Sequence, residues 1–358
     1  MFLVFSVCVL YALYGLLIFF EDYIPANHKK LIYWGTCVLL IIMAGTREVG
    51  IDPDSEEYEK SFLNPYNNDV LDSLEFTYIM IAQAFNSFTN DVHPLFLVYA
   101  LLGVSLKFVA FRHYTDSWLL IVFMYICFYY ELHETCQIRA GVLSACMLLA
   151  VPCIAEGRRW MALLWIVIGT CFHLSGLILL PLLLLRDKPL GRYWKIVLAL
   201  SIPFSYVFAG LNLGLEFASE IPHIGNKLAL YSEAAEKGKV GLSSLNLFGP
   251  MHLLMVLIFY YLLFFADTLT EKCRYFPLML KILATALVSY AVFSFIPVMG
   301  ERMGSMYRTI IVVLLPTIVY TLRPKWCGVI LLIFISFILF NFSLRDMYNV
   351  NLFLPEVK

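Results

Sequence analysis

Apolar residues run through this chain in blocks long enough, or nearly long enough, to cross a bilayer. They lie at about 1–20, 31–46, 94–111, 117–132, 137–155, 196–211, 247–266, 279–297, 305–322 and 326–342. Hydrocarbon cannot satisfy backbone polar groups, so blocks of this length predict helices. The expected fold is therefore an all-α, polytopic integral membrane protein with about ten transmembrane helices. No soluble domain, repeat or low-complexity tract interrupts the pattern. Residues 1–358 read as a single transmembrane domain with larger loops at about 47–92 and 212–246. The first block has no basic segment before it and no small-residue cleavage pattern after it, which fits a first transmembrane helix rather than a signal peptide.

Positive charge sets the expected orientation. Lys29, Lys30, Arg112, Arg158, Arg159, Lys272, Arg274, Arg323 and Lys325 fall on one set of short loops if the first loop is cytoplasmic. Both larger loops and both termini then face outward. The stretch from Trp160 to Leu185 departs from simple alternation, because it is apolar throughout yet flanked on both sides by basic residues, among them Arg159 and Lys188. Each half is too short to cross, so a re-entrant or broken hairpin is expected, bending near His173-Leu174-Ser175-Gly176. The alternative is one long tilted helix kinked at Pro181. Within the 47–92 loop, Leu71, Leu74, Tyr78, Ala82 and Phe85 recur at helical spacing and predict an amphipathic helix carrying Glu75 on its apolar side.

Composition agrees with the pattern: 61% of residues are hydrophobic and 14% charged, more apolar surface than one water-soluble core of this size buries. A net charge of −1 gives no bulk basic field for nucleic acid. The nine cysteines lie mostly in apolar blocks without a metal-ligand spacing, and read as core or lipid-facing thiols.

Ionisable groups at the edge of a span are costly, and their retention points to function. Arg47, Arg139, Arg302 and Arg308 all reach the outer edge in the expected topology, where positive-inside statistics would not put them. A guanidinium fork suits phosphate oxygens and stays charged when partly desolvated, so an anionic ligand is the natural partner. The alternative is that these arginines reach lipid headgroups or pair with Glu131, Glu134 and Glu301. Arg47-Glu48-Val49-Gly50-Ile51-Asp52-Pro53-Asp54, followed by Tyr58, sets a basic group, carboxylates and turn formers at a helix exit. His173 is the histidine deepest in an apolar block, and imidazole exchanges protons near neutral pH.

The order Arg47, Gly50, Asp52, Tyr58, then Glu75, then Gln137-Ile138-Arg139, then Phe172-His173-Leu174-Ser175 resembles the EpsG family of Wzy-type polysaccharide polymerases. The resemblance covers roughly residues 30–185 and, more faintly, Arg302 and Arg308. It departs at Ala140, where a second polar residue is common, and in the wording of the Asp52-Pro53-Asp54 turn. It implies a GT-C-like fold related to the O-antigen ligases, in a multi-pass protein of the bacterial inner membrane. The implied activity is a glycosyltransferase that moves a growing glycan from undecaprenyl diphosphate to the next lipid-linked repeat unit at the periplasmic face. No metal or other cofactor is implied. The partners are undecaprenyl-diphosphate-linked oligosaccharides, the bilayer and a chain-length regulator. Arg47, Arg139, Arg302 and Arg308 would bind diphosphate, and Tyr58 and Gln137 sugar. His173, Asp52 and Glu75 would share the catalytic work, with His173 the first choice of base. A flippase of the same lipids, an O-antigen ligase, or an acyltransferase built on His173 are the alternatives.

Overall fold

The computed structural model describes residues 2–211, 213–214, 245–348 and 350. The expected loop at about 212–246 therefore lies almost wholly outside the described residues. What is described is helical, without a strand. In chain order the helices are α1 (Phe2–Leu17), α2 (Ala26–Gly45), α3 (Ser55–Leu63), α4 (Asn68–Ser73), α5 (Phe76–Asn86), α6 (His93–Tyr114) and α7 (Trp118–Phe128). They continue as α8 (Ile138–Ala155), α9 (Arg159–Phe172), α10 (Arg192–Gly210), α11 (Pro250–Phe264), α12 (Ala266–Lys272), α13 (Phe276–Val292), α14 (Pro297–Arg308) and α15 (Lys325–Tyr348).

Each of the expected apolar blocks forms helix, but six segments among the described residues are long and apolar enough to cross, or seven if the α11–α12 pair, bent by 75°, is one span. By length and composition the described helices thus stop short of the expected ten or so, for local reasons. The helix α2 opens with Asn27, His28, Lys29 and Lys30. At the other extreme, α7 is apolar but stops after 11 residues, where a π-helical turn (Glu131–Cys136) carries Glu131, His133 and Glu134 into the interior.

Two compact units divide the chain. The first comprises 1–186, 272–275 and 312–358, and the second 187–271 and 276–311. In the first unit α6 and α8 each approach the π-helical turn through a glycine. A Cβ at Gly103 would collide with the Glu134 carboxylate, and one at Gly141 with the His133 carbonyl. That closeness lets Lys107 of α6 meet Glu134 at 2.5 Å and the Gly141 carbonyl at 2.7 Å, while Tyr125 donates to Glu134 at 2.7 Å. Lys107 is 1% exposed, so removing it would strand a buried carboxylate. We expect Lys107→Met to lower stability by about 3–5 kcal/mol, and pairing it with Glu134→Leu to restore much of the loss. Thermal unfolding of the solubilised single and double variants measures both.

The basic loops gather at one end of this unit. Lys29 pairs with Glu21 at 2.8 Å, Arg274 with Asp116 at 3.1 Å and Lys325 with Asp22 at 2.5 Å. Arg47, at the opposite end of α2 from Lys29, belongs to the other end.

The Trp160–Leu185 stretch turns back on itself at His173. After α9 the chain is extended at His173 (φ −154°, ψ 120°) and returns as a 3₁₀ segment, Leu174–Leu184. Fourteen α-helical residues rise about 21 Å, and eleven 3₁₀ residues about 22 Å. The equal arms set the Leu185 carbonyl beside Arg159, whose Nη2 donates to it at 3.2 Å. A single kinked helix would hold those groups at opposite ends. Each arm is shorter than the hydrocarbon core of about 30 Å, so the stretch is a hairpin of two short arms.

In the second unit, α14 lies close on α13 because Gly304 has no side chain: a Cβ there would stand 2.9 Å from the Tyr290 ring. Arg302 on α14 is exposed, and Arg308 is partly buried with its Nη2 3.2 Å from Glu301.

Candidate functional site

Glu75 does not ride on a helix face, as its neighbours' periodicity predicts. The helix breaks there: Ser73 bonds back to the Asp69 carbonyl at 2.5 Å, Leu74 and Glu75 are extended (ψ 152° and 147°), and α5 begins at Phe76. Tyr78 and Ala82 still bury against an aromatic cluster with Phe62, Phe96 and Tyr99, and Phe172 of α9 packs on it. The break leaves the Glu75 side chain at the seam between the 47–92 loop and the hairpin. Thr77 closes that seam by donating to the Cys171 carbonyl at 2.7 Å.

There the two carboxylate oxygens divide their work. Oε1 accepts from His173 Nδ1 at 2.8 Å and from the Leu174 backbone N–H at 3.0 Å. Oε2 accepts from Arg139 Nη1. Tyr58 stacks under the Arg139 guanidinium, 5.9 Å from ring centroid to Cζ, and its phenol bonds the same group. Burial alone would raise the Glu75 pKa; the His173 hydrogen bond, the Arg139 charge and the Leu174 N–H outweigh it and pull it down to about 2.

This protonation state separates the three expected proton acceptors. A carboxylate near 2 is ionised at neutral pH and a feeble base. Being acceptor-only, it fixes the proton of His173 on Nδ1 and leaves Nε2 as the nitrogen that can accept. Ser175 Oγ lies 3.2 Å from Nε2, where an incoming hydroxyl could take its place. Beside Glu75 opens a groove of about 570 Å³, with Asp72 and Ser73 at its polar rim and Val167, Leu174 and Leu177 along the hairpin.

Asp52 is committed elsewhere. Its Oδ2 accepts from Arg47 Nε at 3.1 Å, and its Oδ1 from the backbone N–H groups of Asp54 (3.1 Å) and Ser55 (2.9 Å), which starts α3. Arg47 also donates to the Ala44 carbonyl at 2.7 Å and lies 3.8 Å over the Phe96 ring. Both side chains are 0% exposed. The structure therefore joins Arg139, Glu75, Tyr58 and His173 directly, and sets Arg47 against Asp52 and the Phe96 ring. Gln137 is the exposed residue ahead of α8, its backbone accepting from Gly141 at 2.8 Å. Arg302 and Arg308 lie in the second unit. Sequence reasoning overlooked Lys107, which takes Glu134 as partner where an arginine was expected. A lysine mid-way along an apolar helix was the available signal. All nine cysteines are free thiols.

The Glu75 pKa carries a pH signature. Because it lies below the usual 4.5, the stability that Glu75 contributes is complete above about pH 4.5 and lost as pH falls toward 2. Glu75→Gln should unfold at a lower temperature at neutral pH and lose less than the native chain on acidification across that window. Parallel melting curves for the two proteins would expose a contrary result.

The sequence profile of the EpsG family matches residues 30–355. A curated relative, the "Amylovoran biosynthesis protein AmsC" of Erwinia amylovora, is 24% identical over 159 residues, covering 43% of this chain. The matched part is 41% of that relative's length. No solved structure matches the chain.

Proposed function

The chain belongs to the EpsG family, and from that premise and the site geometry we propose that it is a glycosyltransferase that polymerises lipid-linked glycan repeats. The donor is a growing glycan on undecaprenyl diphosphate, and the acceptor is the next lipid-linked repeat. The reaction takes place at the periplasmic face of the bacterial inner membrane, in a GT-C-like fold. The name of the relative, a polysaccharide biosynthesis protein, supports the substrate class.

One observation carries this reading: a single carboxylate, Glu75, holds His173 on one oxygen and Arg139 on the other. Displacement at an anomeric carbon requires the acceptor hydroxyl to lose its proton as the diphosphate leaves. His173 Nε2 takes the proton. Arg139 stabilises the charge that grows on the departing diphosphate, as a fixed donor does at any developing anion. Glu75 sets the distance between them and stabilises the imidazolium that forms. The Glu75 groove receives the acceptor sugar, with Asp72 and Ser73 toward its hydroxyls and Gln137 and Tyr58 nearer the arginine.

The purified protein, given lipid-linked repeat units in liposomes, should produce a ladder of lengthened lipid-linked glycans. Transfer to a different lipid acceptor would make it a ligase, and movement across the bilayer without bond change a flippase. Either outcome would replace this reading.

A further inference from the structure

The groove beside Glu75, of about 570 Å³, has the size usual for a ligand pocket, about 300–1,000 Å³. Four side chains bearing oxygen line it: Asp72, Ser73, Glu75 and Thr170. None has a spare proton to donate. Ser73 Oγ donates to the Asp69 carbonyl at 2.5 Å and Thr170 Oγ to the Ile166 carbonyl at 2.8 Å, so each hydroxyl keeps only its lone pairs. Glu75 is an ionised acceptor already held by His173, the Leu174 N–H and Arg139. Its side chains can therefore accept hydrogen bonds but not return them.

Asp72 adds a charge to that pattern. It is exposed, and its carboxylate has no ion pair or hydrogen bond among the described residues. No lysine, arginine or histidine lines the groove. With the Glu75 charge answered by Arg139, Asp72 is the one charge left uncompensated among the described lining residues. The walls are apolar: Phe76 of α5, Val167 of α9, and Leu174 and Leu177 of the 3₁₀ arm, all four exposed. Low-dielectric walls focus the field of a lone carboxylate into the cleft. A carboxylate or phosphate ligand would meet repulsion and find no side-chain donor there. A pyranose suits both features, with hydroxyl protons round its edge and C–H groups on its faces.

We propose that the groove selects an uncharged sugar ring, whose hydroxyls donate to Asp72 and Ser73, and that Asp72 excludes acidic sugars. The C–H faces of the ring lie on Phe76 and Leu174. Asp72 is thus a residue that sets which glycan repeats the chain takes as acceptor. The acceptor role rests on the polymerase reading, whereas the selection by charge is measured as binding, without turnover.

Methyl β-glucoside and methyl β-glucuronide differ only in carrying a hydroxymethyl group or a carboxylate on the same ring, and the matching galactose pair repeats the contrast with one hydroxyl inverted. Each is titrated into the full chain in a sugar-free detergent and followed by saturation-transfer NMR. At neutral pH and low salt, the native chain should bind a neutral glycoside about tenfold more tightly than its uronide, as one like-charge contact at a partly exposed site gives. Asp72→Asn keeps the shape and removes the charge, and should shrink that ratio to about twofold by tightening the uronide. Val167→Trp, which fills the groove from an exposed position, should abolish saturation transfer to both sugars while unfolding stays cooperative. Equal binding of neutral and acidic sugars, an unchanged ratio in Asp72→Asn, binding that survives Val167→Trp, or no binding of either pair would each overturn the proposal. A chain that elongates glycans but binds both sugars equally loses only this selection. One that binds the neutral sugar selectively and makes no ladder keeps the site and loses the polymerase reading.

Discussion

Replacement of His173 by alanine is expected to slow glycan elongation by about 10²- to 10⁴-fold, the usual worth of a positioned proton acceptor. The size follows from the geometry. Glu75 holds Nδ1 at 2.8 Å, so the imidazole is fixed in both tautomer and direction, and Nε2 is the nitrogen left as acceptor, 3.2 Å from Ser175 Oγ at the hairpin bend. Neither expected alternative can take its place. Glu75 is too weak a base with a pKa near 2, and Asp52 is enclosed with Arg47. His173→Gln should fall as far as alanine, because an amide can donate and accept but cannot carry the proton away. Binding of the lipid-linked donor should survive in both variants, since Arg139 keeps its contacts with Glu75 and Tyr58. Single-turnover elongation and donor binding, measured on the same preparations, separate the two effects. Elongation near the native rate in His173→Ala would remove histidine from the chemistry.

The chain made some of this legible and hid the rest for identifiable reasons. The bend at His173 could be read because basic residues flank an apolar stretch at both ends, a pattern that one crossing cannot satisfy. The all-helical class followed from the apolar blocks. The number of crossings did not, because hydropathy does not register that the block after Trp118 is cut by a π-helical turn whose Glu134 finds a lysine 27 positions upstream. Glu75 was visible as a carboxylate on an otherwise apolar stripe, but its partners were not. Arg139 is 64 residues away and His173 98, and period-based reading carries no information on pairing at such separations. The arginines show the same limit. Residue type and depth made Arg47 and Arg139 look alike, whereas packing closes one onto Asp52 and Phe96 and leaves the other, 20% exposed, beside Glu75.

Arg139→Lys is expected to lose about 10²- to 10³-fold in elongation, the range for removing one fixed donor from a developing negative charge, and Arg139→Ala somewhat more. The lysine variant is the informative one. Arg139 pairs with Glu75 and with the Tyr58 phenol, its Nε is buried and lacks a hydrogen-bond partner among the described residues, and the proposed function gives its fork a second task at the diphosphate. An ammonium keeps the charge and can still reach Glu75, so His173 stays oriented, but it cannot offer a second and third N–H in a fixed plane. If Arg139 served only to hold Glu75, lysine would preserve most of the activity. A large loss in Arg139→Lys, with the Glu75-dependent acid transition retained, therefore reports on the fork's contact with the ligand. Donor binding gives the second arm: affinity for undecaprenyl-diphosphate-linked glycan should weaken in Arg139→Lys, and affinity for a monophosphate analogue should weaken less, because one phosphate engages the fork with fewer oxygens. Equal weakening for both lipids, or native elongation in the lysine variant, would reduce Arg139 to a support for Glu75 and leave the leaving diphosphate without its proposed partner.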